Sequence, residues 1–122
     1  MKEENNNFNV NNPTKENIEY AFKNLIFYVG ASSYLEIYKN QKEMFKKVLT
    51  KVDDILSQYI NTESLVQISD ELLQEVKYDL IDLDTETKAL KSYYAEWSLM
   101  WLDAIISLRV SEIKLGGASN GI

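Results

Sequence analysis

The 122-residue chain has no cysteine and no histidine, one proline and four glycines. Without cysteine there is neither a disulfide framework nor a thiol nucleophile. The double absence removes structural zinc, imidazole acid–base catalysis and histidine phosphorelay. So few turn-forming residues argue against a many-stranded fold. Long apolar runs are lacking too. The most apolar stretch, 97–110, is interrupted by Asp103, Ser107 and Arg109 and is shorter than the ~20 residues that span a bilayer. The opening segment, Asn-heavy and polar, has no apolar stretch of the kind a secretory signal needs. These features predict a cytoplasmic chain without membrane association.

What is present is an ordinary globular balance, 45% hydrophobic and 26% charged, enough for one domain with its own core. Residues 1–12 hold six Asn and read as a disordered arm, since they bury too little to offset their ordering entropy. Residues 116–122 begin with Gly116-Gly117 and read as a helix stop with a flexible tail. Between them, 13–115 reads as a single helical bundle.

Four helices are expected, near 13–29, 33–60, 62–83 and 85–115. Asn12-Pro13 offers an N-cap with proline in the first turn, and Gly30 a left-handed C-cap. Ile18, Ala21, Phe22, Leu25, Ile26 and Val29 line one face of the first helix. Ser33 to Glu36 has a capping-box pattern. It leads into a seam of Tyr34, Tyr38, Gln41, Phe45, Val48, Val52, Ile55 and Tyr59 at alternating steps of four and three, the heptad spacing. Thr62 reads as the next N-cap, before Leu65, Ile68, Leu72, Val76, Leu80 and Leu83. Asp84 reads as an N-cap for the last helix, with one bent helix as the alternative. That helix carries Leu90, Tyr94, Trp97, Trp101, Ala104 and Leu108, and Trp97 and Trp101 are expected in the core. The short connections predict an all-α, up-down antiparallel bundle with coiled-coil-like seams.

The net charge of −6 is concentrated in residues 61–84, where seven carboxylates stand against Lys77 alone. The second helix carries Lys39, Lys42, Lys46, Lys47 and Lys51. A hairpin about residue 61 would set Lys51 opposite Glu71, Lys47 opposite Glu75 and Lys39 near Asp82. The plainer reading is flanking ion pairs that fix register. The sharper one makes Glu71, Glu75, Asp79 and Asp82 an acidic ridge for a partner with a basic surface, with Tyr93 as an exposed aromatic beside it.

The fourth helix is also longer than the third, so Ile106, Leu108, Val110, Ile113 and Leu115 are expected to overhang as a self-association or partner-binding patch. The competing reading folds Leu65, Val66 and Ile68 over that overhang.

No catalytic residue, cofactor or metal site is expected. A magnesium site built from carboxylates alone is the surviving enzymatic alternative, as in a nucleotide hydrolase. Glu16 and Glu19 form E-x-x-E, but no E-x-x-D follows. An acidic chain disfavours direct nucleic-acid binding. The sequence reading is a non-enzymatic inhibitor or regulator of another protein. Its Asn, Lys, Ile and Tyr usage is of the kind a phage or mobile element with an AT-rich genome would show. The alternatives are a homo-oligomeric structural subunit or assembly chaperone, and a nucleic-acid mimic presented to a basic groove.

Overall fold

The structure, a computed structural model, describes residues 8–120, with side chains through residue 116. Four α-helices follow one another: α1 (Lys15–Ser32), α2 (Lys42–Thr62), α3 (Asp70–Thr87) and α4 (Tyr94–Asn120). Three short 3-10 turns, Glu36–Gln41, Leu65–Gln67 and Lys88–Leu90, lie between them. Each helix packs on its chain neighbours and α1 closes on α4. The result is the expected all-α, up-down antiparallel four-helix bundle. The α1·α4 pair is the most extensive, and fully buried Ala21, Ala95 and Ser98 suit it, because small side chains let helix backbones approach closely.

One core runs through the bundle. Phe22, Leu25 and Val29 from α1 meet Phe45, Val48, Val52 and Ile55 from α2, then Leu73, Val76, Leu80 and Leu83 from α3. From α4 the buried stripe is Ala95, Ser98, Leu102, Ile105 and Leu108. The helix is therefore rotated from the expected seam: Trp97 is 38% exposed, and Trp101 only half-buried. A helix that is apolar nearly all round leaves its orientation undetermined by periodicity, and the small Ala95 and Ser98 win the close contact with α1.

Several boundaries differ from the expected ones. Thr14, not Asn12, caps α1, its hydroxyl accepting from Asn17 N at 3.1 Å. Buried Asn17 reaches back, its amide donating to Asn12 O at 2.8 Å and to Asn9 O at 3.3 Å. Phe8 and Val10 also engage the bundle: Phe8 packs on Tyr20 and Trp101, and Ser111 Oγ donates to Val10 O at 2.9 Å. Of the expected arm, residues 1–7 lie outside the described residues, whereas its last residues lie along α1 and α4.

Gly30 sits inside α1 with no positive φ, and Ser33 ends that helix, its hydroxyl donating to Gly30 O at 2.7 Å. The second helix does not start at Ser33. Tyr38 adopts a non-helical φ of −105° and ψ of 22°, which turns its ring fully into the core against Phe45 at 5.0 Å. Its hydroxyl bonds Ser92 Oγ across the bundle end. Tyr34, read as the head of the seam, is 82% exposed instead. A Cβ on Gly30 would meet nothing within 4 Å. Gly30→Ala is thus expected to raise stability by about 0.5–1 kcal/mol, read as a higher urea midpoint. A left-handed cap at this position would instead make alanine destabilising.

At the other end, Thr62 closes α2 and Ser69 caps α3, accepting from Leu72 N at 3.1 Å. Asp84 lies within α3 and pairs with Lys88 at 3.5 Å. The α3–α4 break falls later, at Lys91, which takes a left-handed φ of 56°. The α4 helix continues through Gly116 and Gly117 to Asn120, so the expected stop at Gly116 is not where it ends.

Candidate functional site

The acidic ridge is partly paired. Lys51 Nζ lies 2.8 Å from Asp79 and 3.5 Å from Glu75, one to two helical turns beyond the Glu71 partner expected. The shift comes from residues 63–69, which form a connection rather than helix and displace the hairpin register. Glu71 and Asp82 are exposed and have no ion pair among the described residues. Of the remaining acidic groups, Asp70 lies 3.7 Å from Arg109 and Asp103 lies 3.7 Å from Lys77.

The α4 overhang is largely closed. The 65–67 turn folds over it, burying Leu65, Ile68 and Leu108 together; the competing reading expected this of Leu65 and Ile68, but Val66, which it also included, stays exposed. Glu112 fastens the turn: one carboxylate oxygen accepts from Leu65 N at 2.9 Å and the other from Ser64 Oγ. Arg109 Nε donates to Leu65 O at 3.1 Å. Ile106 is half-buried, while Val110, Ile113 and Leu115 remain exposed. Sequence periodicity did not reveal the Glu112 clasp, because a polar residue near a helix end has many solvated alternatives.

The larger exposed apolar feature lies at the start of α4. Phe27, Tyr93, Trp97 and Met100 are all exposed, Phe27 at 58% and Met100 at 56%. The three aromatic rings are linked through Tyr28 across α1 and α4, and Met100 follows Trp97 by three residues, on the same face of α4. Phe27 stands 5.1 Å from Tyr28, Tyr28 5.4 Å from Trp97, and Trp97 6.4 Å from Tyr93. Tyr93 is exposed as expected, but its neighbour Trp97 joins it at the surface. Further along the same two helices, Tyr20 and Trp101 lie 5.5 Å apart and are covered by Phe8. Phe8, ahead of α1, thus covers one part of the aromatic row along α1 and α4 and leaves the other part exposed.

The opposite end of the bundle holds a cleft of about 500 Å³ between the start of α1, the end of α2 and the end of α4. Its lining includes Ile18, Ile60 and Leu115 together with Lys15, Glu19, Glu63 and Glu112. Tyr59 lies on its floor, 5% exposed and stacked on Phe22 at 5.9 Å. Glu63 has a left-handed φ of 57°, a conformation costing a non-glycine residue about 1 kcal/mol.

Burial pushes the Tyr59 phenol above its ordinary pKa of 10.0, with the charges of Glu19, Glu112 and Glu63 acting the same way. The hydrogen bond to Asp79 raises Lys51 above 10.5 despite burial, helped by the charges of Asp79 and Glu75. Both folded values exceed the unfolded ones. The stability they contribute is therefore complete below about pH 10 and lost as pH rises through the folded values. The urea midpoint should stay level on this account to about pH 9 and fall above about pH 10. Tyr59→Phe should flatten that fall and Lys51→Met should flatten the remainder; an unaltered alkaline limb in both variants would refute the assignment.

Among the described residues, no group of three or more acidic side chains is placed to hold a metal ion, and no helix is long and apolar enough to cross a membrane. No family model matches this chain, and no curated protein or solved structure is significantly similar to it.

Proposed function

We propose that this chain is a non-enzymatic protein that acts by binding another protein, as an inhibitor or regulator of its partner. The observation that carries the reading is the exposed part of the α1–α4 aromatic row, where Phe27, Tyr93 and Trp97 are linked through Tyr28 and Met100 is exposed one turn beyond Trp97. Tyr and Trp are enriched at binding hot spots, and contiguous apolar patches on a folded surface mark interaction sites. The partner's contact region is an apolar segment that packs on these side chains as Phe8 packs on Tyr20 and Trp101. Glu71 and Asp82, which have no ion pair among the described residues, within a net charge of −6, give the approach of a basic partner a favourable field.

The test separates the two surfaces. Partner capture from lysate of the source organism, at low and high salt, is compared for Phe27→Ala with Met100→Ala and for Glu71→Lys with Glu75→Lys. The aromatic-face variant should lose the partner at both salt concentrations, and the charge variant should only weaken capture at low salt. Loss through the charge variant alone would return the binding site to the acidic ridge. Val66, Val110 and Ile113 are also exposed, which favours a second reading, self-assembly through the end of α4. A light-scattering mass above the 14.1 kDa of one chain, reduced to that mass by Val110→Asp with Ile113→Asp, would establish it.

A further inference from the structure

Residues 8–11 lie on the bundle as a ligand lies on a receptor. Phe8 stands 5.4 Å from Tyr20 of α1 and 5.3 Å from Trp101 of α4. Ser111 Oγ donates to Val10 O at 2.9 Å, and the amide of Asn17, itself only 4% exposed, donates to Asn9 O at 3.3 Å. Both hydrogen bonds end on backbone carbonyls, which any segment of chain possesses. What depends on side-chain type is the aromatic ring, with half-buried Val10 two positions later. Backbone bonds that supply affinity, with side-chain contacts that supply selectivity, are the logic of peptide recognition. The hold is also slight. Phe8 and Val10 are only half-buried, and Asn9 and Asn11 are exposed. The turn they form supports itself, Asn12 N donating to Asn9 O at 3.0 Å and Asn11 N to Asn9 Oδ1 at 2.8 Å. Ordering such a segment costs conformational entropy at every residue, and one half-buried ring with two neutral hydrogen bonds returns little more. Segments with so few buried contacts are the first to open in a native protein.

We propose that residues 8–11 are a built-in competitor for a partner segment of the same chemistry, a non-helical stretch with an aromatic side chain two positions before an aliphatic one. The inference rests on the protein-binding reading above and extends its surface from Trp97 one turn along α4 to Trp101, and across to Tyr20. The partner's aromatic side chain takes the place of Phe8 against Tyr20 and Trp101, and its carbonyls take over the Ser111 and Asn17 donors. Release is local, since Asn12 O keeps its own bond from the Asn17 amide at 2.8 Å and Thr14 keeps the cap of α1. Because the competitor is joined directly to α1, its effective concentration is in the millimolar range, and it lowers the affinity of any segment that must replace it.

The probe is a synthetic peptide with the sequence of residues 8–14 and blocked ends, added to the full chain and followed by NMR at the indole N–H of Trp101 and the amide of Ser111. In Phe8→Asp a carboxylate that cannot be solvated against two rings replaces the phenyl group, so the Trp101 signal should shift before any peptide is added, with helical content kept. The peptide should then saturate this variant with a Kd of about 1 mM or below and bind the unaltered chain at least about tenfold more weakly. Phe8→Ala should give the same order of affinities with a smaller difference. Ser111→Ala in the Phe8→Asp background should weaken the peptide about threefold, and a peptide carrying Phe8→Ala should show no saturation. Equal affinity for the unaltered and Phe8→Asp chains, no saturation of the variant, or an alanine peptide as good as the native one would each overturn the proposal. So would a light-scattering mass of twice 14.1 kDa that Phe8→Asp halves, because the segment would then be exchanged between copies. Phe8→Asp should also raise capture of the partner from lysate severalfold. Capture unaltered by Phe8→Asp but lost in Phe27→Ala with Met100→Ala would overturn the competitor and leave the protein-binding reading standing; capture indifferent to both would remove that reading itself.

Discussion

Phe45→Ala is expected to lower folding stability by about 3–5 kcal/mol, out of a total of roughly 5–15 kcal/mol for a domain of this kind. Phe45 is fully buried and packs against Tyr38 at 5.0 Å. Truncation removes apolar area from the core and leaves a cavity that the fixed Tyr38 ring cannot fill, because its hydroxyl is engaged with Ser92 Oγ. Tyr38 in turn sets the break between the 36–41 turn and α2, so the loss should spread to that end of the bundle. Chemical denaturation reads the effect as a shifted midpoint. Phe27→Ala is the matched control, since Phe27 is 58% exposed and its removal should cost less than about 0.5 kcal/mol. Similar midpoint shifts in the two variants would contradict the burial assigned to them.

Trp97→Ala should have the inverse profile. With Trp97 38% exposed, truncation should cost the isolated fold about 1–2 kcal/mol through lost contacts with Tyr28 and Tyr94. Its effect on partner binding should be larger, about 2 kcal/mol or more, a loss of roughly 30-fold or greater in affinity. The two effects are separated by working well below the unfolding transition and confirming helical content before binding is measured. An affinity unchanged within about twofold would remove Trp97 from the interface.

How much of this was legible in the residues depends on which force decides each feature. The bundle was readable, because the heptad steps from Tyr38 through Phe45, Val48, Val52 and Ile55 to Tyr59 all become core. So was the tendency of Leu65 and Ile68 to fold over the end of α4, offered as one of two readings. Local helix ends were less so. Ser33 and Thr62 have the side chains of N-caps, yet each finishes the preceding helix, because burial of Tyr38 and the turn at Glu63 determine where the next one starts. Glu63 and Lys91 adopt left-handed conformations without glycine, so no residue-type signal marks either turn. The rotation of α4 was hidden by its apolar residues on nearly every side. That rotation is why Trp97 belongs to the surface. The end cleft depends on Lys15, Glu19, Tyr59, Glu63 and Glu112, which come from three separate helix ends and share no local pattern.

If the partner sits on the exposed aromatic face of α1 and α4, residues on that face lie within cross-linking reach of it. The measurement places a photoreactive phenylalanine analogue at Tyr93 or, as a control on the exposed outer face of α2, at Asp54, and irradiates cells of the source organism. One dominant cross-linked protein is expected from position 93, none from position 54, and disappearance of the product when Trp97→Ala is added. Cross-linking from position 54 with none from position 93, or a product indifferent to Trp97→Ala, would contradict it.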